Sequence, residues 1–360
     1  MNTAIWHSAH VFHHAPDGTD ELLLTGVRPL LASFDNEGFP AYFQRHWAKG
    51  PHVRINVRAS RRSWDQRLRP MIDEAMGAYL SDHPSQGHPD PEHEMRAHEE
   101  LARLEEEHGP LFPWHPDNSI HYADFDRRLH VLGTPEASDL LARFHADTTE
   151  LAFAIMEDAR GGARLERLFT LMLATAGEAC PPITKGAISY RSHTEGFLAN
   201  VSRPGAIRDR FQQIHQTNRQ ALAERLHEVL RGLESGEHRL PHLAEWVALV
   251  REYKRRLEGL EAEGLLVLPR VGLPMQSTGQ WSRVSPFHKA LFGNEEIRKE
   301  LDESSWFTVY RALLNYQYLF FGRVGVIPRE RFLLCYLAAR TVELEFDVEV
   351  PEMLGLGITP

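Results

Sequence analysis

The sequence predicts an α+β fold, an antiparallel sheet layer embedded in a largely helical body. Three observations predict it. Short runs near the N-terminus alternate apolar and polar residues, turn residues join two of these runs, and most of the remaining chain carries helical spacing. Residues 4–14 alternate as a strand does, with Trp6, His10 and Phe12 on one face and Ile5, Ala9 and Val11 on the other. Residues 20–34 read as a helix with Leu22, Leu23, Val27, Leu30 and Leu31 on its stripe, although Pro29 opposes it. Two strand-like runs follow, 41–47 and 51–58. Ala48-Lys49-Gly50-Pro51 joins them with turn chemistry suited to a hairpin. Residues 61–82 read as a helix. This β-α-β-β-α order is that of a ferredoxin-like layer.

Beyond it, residues 82–91 form a polar Pro/Gly loop, 92–108 a charged helix and 119–131 a strand. Helices are expected at 136–158 and 163–179, and from 207 to 263 with breaks near Gly236 and Pro241. A Gly/Pro/Ser loop, 269–286, precedes helices at 294–321 and 328–344. We read 1–360 as one domain, sheet-rich over 1–135 and mainly helical over 136–360.

The 360 residues are 42% hydrophobic and 25% charged, as in an ordinary globular protein. No run approaches the ~18 apolar residues of a membrane-spanning helix. Met1-Asn2-Thr3-Ala4-Ile5-Trp6-His7 has no basic start and no apolar run, so no signal peptide is expected. Cys180 and Cys335 read as buried thiols of a reducing compartment, and a cytoplasmic location is expected. A net charge of −10 argues against nucleic acid as a partner. Oligomeric state is left open, a homodimer included.

Candidate chemistry sits in three places. His52, Arg54, Asn56 and Arg58 alternate with Val53, Ile55 and Val57, and a half-buried strand with a wet face explains that alternation fully. Arg45 shares a face with Phe43 and Trp47, which suggests an anionic or carbonyl partner, or stacking. The run from Ser189 to Phe197 holds Ser192 and His193; Ser192 and Glu195 also fit a helix-start capping box. Ser304 and Tyr310 lie six residues apart, and with Tyr316 and Tyr318 they read from spacing alone as a cap serine and core tyrosines. His7, His10, His13 and His14 lack metal-ligand spacing, so no metal is expected. Dinucleotide, Walker and nucleophile-elbow motifs are absent.

Ala41-Tyr42-Phe43-Gln44-Arg45-His46-Trp47 followed by Gly50-Pro51-His52-Val53-Arg54-Ile55-Asn56-Val57 resembles the signature of the thiopeptide-type bacteriocin biosynthesis domain, also found at the C-terminus of class I lantibiotic dehydratases. Tyr122 with Arg127 or Arg128, then Gly133, Pro135 and Glu136, then Phe144-His145-Ala146-Asp147-Thr148, is similar to its middle block. Ser192-His193 and the run from Gly325 to Phe332 also fit, so the resemblance spans nearly the whole chain.

Two activities are implied by this resemblance: elimination of glutamate from an activated Ser or Thr, and formation of a thiopeptide's central pyridine by formal aza-[4+2] cycloaddition of two dehydroalanines, with loss of water and leader peptide. Asn56 replaces an arginine of the elimination pattern. Tyr318 stands where its His-Met-x-x-Asn-Arg motif, ending here at Arg323, has histidine. The Ser304–Tyr310 pair resembles that of the pyridine synthases. The expectation is therefore a macrocyclase acting on a leader-bearing, azole- and dehydroalanine-containing precursor peptide, without metal or organic cofactor. Tyr310, Ser304 and His193 are its expected catalytic residues. Arg45, His52, Arg54, Asn56, Ser192 and Tyr318 are expected to hold substrate. Glutamate elimination and a non-catalytic leader-binding scaffold are the alternatives.

Overall fold

The computed structural model describes residues 3–15, 18–87, 90–159, 163–268 and 284–354. Residues 88–89 of the expected polar loop and 269–283 of the expected Gly/Pro/Ser loop lie outside them. The chain forms two compact units. The first comprises Met1–Val131, Ser138–Gly161 and Gly322–Gly325; the second comprises Leu132–Ala137, Gly162–Phe321 and Val326–Pro360.

The alternating runs of the first unit become four strands, β1 (Ile5–Phe12), β2 (Ala41–His46), β3 (His52–Ala59) and β4 (Ser119–Asp124). Their order is β2-β3-β1-β4, and every neighbouring pair is antiparallel. This is the ferredoxin-like layer that the element order predicts. Lys49 and Gly50 turn the β2–β3 hairpin at positive φ, 61° and 106°. The register pairs His10 with Arg54 and Arg54 with Gln44, so the polar residues of three strands share one face. The other face carries Ala9, Val11, Phe43, Val53, Ile55 and Val57, all buried. On that side Trp64 stacks on His7 at 4.7 Å, and the Tyr122 hydroxyl donates to Asp73 at 2.7 Å, placing helix 61–82 against it. Gly26 lets the two helices meet: a Cβ there would lie 2.9 Å from the Tyr79 ring.

Pro29 does not end its helix, and neither does Pro70. A π-helical turn, Leu22–Val27, precedes Arg28-Pro29, and another, Trp64–Leu68, precedes Arg69-Pro70. Widening the preceding turn moves the carbonyls that a proline ring would otherwise strike, and proline has no N–H to lose.

The helix expected over 136–158 is broken into Pro135–Asp147 and Thr149–Ala159. Arg323 shows why. Its guanidinium, 3% exposed, donates to Phe43 O (2.9 Å), His145 O (2.9 Å), Thr148 Oγ1 (2.9 Å) and Thr149 Oγ1 (3.0 Å). The break frees the carbonyl and hydroxyls that receive it. The Thr149 hydroxyl lies 3.3 Å from Ala41 O, so the outer edge of β2 is capped by side chains. The strand expected over 119–131 stops at Asp124 and is followed by a short helix, Leu129–Leu132.

In the second unit, Arg164–Ala179, Ile183–Ala199, Pro204–Ser235, Leu243–Ala262 and Pro328–Glu345 are helices. Gly236, at φ 74°, ends the long one as expected. The helix expected over 294–321 is interrupted at Ser304, giving Glu295–Glu303 and Ser305–Arg323. Ser192 lies in mid-helix rather than at a cap, because the chain enters that helix at Ile183, directly after Pro182. Glu195, which the capping box would use, instead pairs with Arg191 (3.0 Å) and Arg208 (2.8 Å). Among the described residues no helix is long and apolar enough to cross a membrane.

Replacing Arg323 with Met takes the donor from Phe43 O and one of the donors from His145 O, and leaves Thr148 and Thr149 without the guanidinium they receive. We expect the first unit to lose at least about 3 kcal/mol, read as a lower urea midpoint followed by tryptophan fluorescence. Wild-type stability in Arg323→Met contradicts the assignment.

Candidate functional site

The polar sheet face of the first unit opens on a cavity of about 270 Å³, lined by residues that include Ser8, His10, Gln44, His52, Arg54 and Asn56. Its positions follow from the pleat: residues 8, 10, 52, 54 and 56 point to the same side because they are two apart. The His10 ring stacks on His52 at 4.9 Å, the His46 ring lies 5.2 Å from His52, and His115 and His121 lie 4.0 Å apart beside Phe12.

Arg54 sits among acceptors that carry no charge. Its Nε donates to His52 Nε2 (3.3 Å) and its Nη2 to His46 Nδ1 (3.2 Å). The tautomers follow. His52 Nδ1 faces Gly50 O at 2.8 Å and must hold the proton, so Nε2 is free to accept. His46 Nδ1 also accepts from the Ala48 amide (3.2 Å), which puts its proton on Nε2. Burial, and next the Arg54 charge, holds His46 and His52 well below the usual histidine range and brings His10 down to about 3. The imidazoles are therefore neutral at neutral pH. Glu107 lies 3.8 Å from His46 Nε2, and it and Asp126 act on Arg54 without, among the described residues, an ion pair to it. A cation fixed by neutral acceptors keeps its remaining N–H groups for a carbonyl or anionic ligand. Asn56 donates to Gln44 Oε1 at 3.4 Å on the same wall.

Arg45 is separated from this group, contrary to its expected place with Arg54. It pairs in register with Val53, on the helix-packed face. There its Nε donates to Arg323 O at 2.8 Å and its Nη2 pairs with Asp20. Sharing a face with Phe43 put it on the core side.

The second unit gathers the remaining predicted residues around helices Ile183–Ala199 and Ser305–Arg323. His193 Nδ1 and the Tyr318 hydroxyl are 2.8 Å apart, and that hydroxyl lies 3.4 Å from Cys335 Sγ. The Arg331 guanidinium stands 5.2 Å over the Tyr318 ring. Burial, followed by Arg331, pulls His193 down to about 3. Burial raises Tyr318 well above its ordinary value and Cys335 to about 11. Ser192 Oγ bonds His288 Nε2 (2.8 Å), whose Nδ1 bonds Ser285 Oγ (2.7 Å).

Tyr310 is buried, and its hydroxyl donates to Gly186 O at 2.9 Å. The Ser304 hydroxyl donates to Glu300 O, so the two do not share a partner. Tyr190, whose hydroxyl donates to Met172 O (2.8 Å) and receives Gln317 Nε2 (3.4 Å), interacts with Tyr310 as well. The sequence reading missed His46, Gln44, Gln317 and Cys335 as partners of the predicted residues. Strand parity alone was enough to find Gln44 and His46. Among the described residues no cluster suited to a metal is present.

Residues 6–342 match the family model described as lantibiotic biosynthesis dehydratase C-term. Among solved structures, one titled pyridine synthase, TbtD, from thiomuracin biosynthesis aligns at TM-score 0.78 with 35% identity, covering 95% of this chain and 99% of that one. A structure titled TsrL aligns at TM-score 0.71 with 21% identity, over 99% of this chain and 100% of its own, a likeness of fold. No functionally curated protein gives a significant match. The chain belongs to the lantibiotic biosynthesis dehydratase C-terminal family.

The neutral imidazoles carry a pH dependence. In the unfolded chain each accepts a proton near pH ~6.5; in the folded chain burial defers that to lower pH. The unfolded state then binds more protons below ~6.5, so stability falls as pH falls, tending to about 1.4 kcal/mol per pH unit for each imidazole. Urea midpoints should drop between about pH 7 and about pH 5.5, and His10→Gln should flatten the drop. A midpoint that holds steady over that range contradicts the neutral cluster.

Proposed function

We propose that this chain is a thiopeptide macrocyclase. Its substrate is a leader-bearing precursor peptide that already carries azoles and two dehydroalanines. The amide at one dehydroalanine tautomerises to an iminol, making an azadiene. Two carbon–carbon bonds to the second dehydroalanine close the six-membered ring. Loss of the iminol hydroxyl as water, then of the leader as its amide, leaves a pyridine, with no oxidant needed. The observation that carries this reading is 35% identity, along 95% of the chain, to a structure titled as a pyridine synthase. Asn56 and Tyr318, which stand where the resemblance to eliminases asks for arginine and histidine, favour it over glutamate elimination.

The roles follow from chemistry. Holding two distant alkenes in line supplies ~7–11 kcal/mol by removing translational and rotational freedom. Arg54, His52 and Asn56 bind peptide carbonyls on the sheet face. Tyr310 moves a proton in tautomerisation and in the loss of water, exchanging its bond to Gly186 O for one to substrate. His193, with Tyr318 donating to Nδ1, presents a protonated Nε2 to developing charge. Ser304 and Ser192 orient the amide.

Tyr310→Phe, folded by circular dichroism and still binding peptide, should turn over at least about 100-fold more slowly. Full turnover overturns its role. Mass spectrometry tests the reaction itself. The chain should convert a dehydrated, azole-bearing precursor with release of leader amide, and should leave a glutamylated precursor unchanged. Glutamate loss alone, or no change in either, defeats the reading.

A further inference from the structure

The two edges of the sheet differ. On β2, Ala41 O and Phe43 O are met by Thr149 and Arg323. On β4, the other edge, the inward groups pair with β1, and among the described residues nothing hydrogen-bonds the outward amides and carbonyls. An open edge is a template for another strand, and proteins usually guard it with Lys, Pro or a cover. β4 reads Ser-Ile-His-Tyr-Ala-Asp and carries neither. It is held firmly from behind: the Tyr122 hydroxyl bonds Arg69 O (3.3 Å) and Asp73 (2.7 Å), and Trp64 meets the Tyr122 ring edge-on at 5.8 Å.

At the Asp124 end, β1 runs past β4, since Ile5 and Trp6 pair only with β3. A cavity of about 610 Å³ fills that corner. Its walls include Trp64, Tyr122 and Phe125 with Arg61, Arg69 and Arg127. Among the described residues Asp124 is the sole carboxylate on the wall. Arg61 and Arg127 pair with Asp65 and Asp139 outside it (2.7 and 3.0 Å), while Arg69 lies over the Tyr122 ring at 4.1 Å and makes no ion pair among the described residues. A chain of net charge −10 therefore places a cationic, aromatic corner beside an unpaired strand edge.

We propose that β4 and this corner dock an extended, acidic segment of the precursor peptide by strand addition. Backbone hydrogen bonds to β4 give affinity, and a carboxylate beside Arg69 with an apolar side chain against Trp64 gives selectivity. This rests on the peptide-processing reading, and it locates a grip that serves a part of the peptide which does not react.

The probe is a dye-labelled, acetylated peptide of alternating Glu and Val, followed by anisotropy with the full chain. It should bind, and hydrogen exchange should slow at residues 119–124 but not at 41–46. Alternate N-methylation of its backbone should abolish binding, and Lys in place of Glu should weaken it. Arg69→Glu should weaken it at least about tenfold, and Arg69→Lys should restore most of the affinity. Equal binding of the N-methylated peptide, or an unchanged Arg69→Glu, overturns the proposal. So does a dimer paired through β4 that excludes the peptide. With the dehydrated precursor, Arg69→Glu should raise KM and spare kcat. Turnover with an unchanged KM defeats this grip alone; no turnover by the wild type defeats the macrocyclase reading and leaves the binding result standing.

Discussion

Arg323 buries a guanidinium with no carboxylate beside it among the described residues, and the placement of β2 follows from how its N–H groups are satisfied. Burying an unpaired charge is expensive, so every donor must find an acceptor. The acceptors come from a strand carbonyl, a helix carbonyl and two adjacent threonine hydroxyls. Supplying them requires the helix to break at Thr148 and its end to abut β2. Burial draws Arg323 down to about 9, still charged at neutral pH. The Tyr42, Gln44 and His46 side of the strand is set by the same contacts.

From that placement comes the character of the cavity. Gln44 and His46 stand opposite Arg54 and His52 in register, so the cation meets lone pairs rather than carboxylates. The backbone assigns the tautomers: Gly50 O takes the His52 proton and the Ala48 amide occupies His46 Nδ1. Neutral imidazoles fix Arg54 without cancelling it. A sheet face that alternation alone explains as wet becomes a positioned cation with donors to offer.

Much of the sheet was legible because period-two alternation is a strong signal: residues 4–14 and 51–58 showed strand and face together, and the turn residues 48–51 showed the pairing of 41–47 with 51–58, while the place of β1 between β3 and β4 was not legible. The paired π-helical turns were not, since Pro29 and Pro70 announce an obstacle and not its solution. The break at Thr148 follows a hydrogen bond from a residue 175 positions away, which no local pattern encodes. Arg45 was misplaced by its charge although its parity with Phe43 already put it on the core face. Ser192 looked like a cap because Ser-x-x-Glu is a local motif, while the helix start was set by Pro182. In the second unit, His193 and Tyr318 were each visible in sequence, but their 2.8 Å bond belongs to packing.

The central claim is that neutral imidazoles hold the Arg54 guanidinium on the polar sheet face, with Glu107 and Asp126 acting on it only from beyond ion-pair distance. Nitrogen-15 NMR of histidine-labelled protein at neutral pH reads it directly. The account predicts neutral rings, with the proton on Nδ1 of His52 and on Nε2 of His46, both persisting when a peptide ligand binds. Imidazolium signals from either ring, or the opposite tautomers, contradict it.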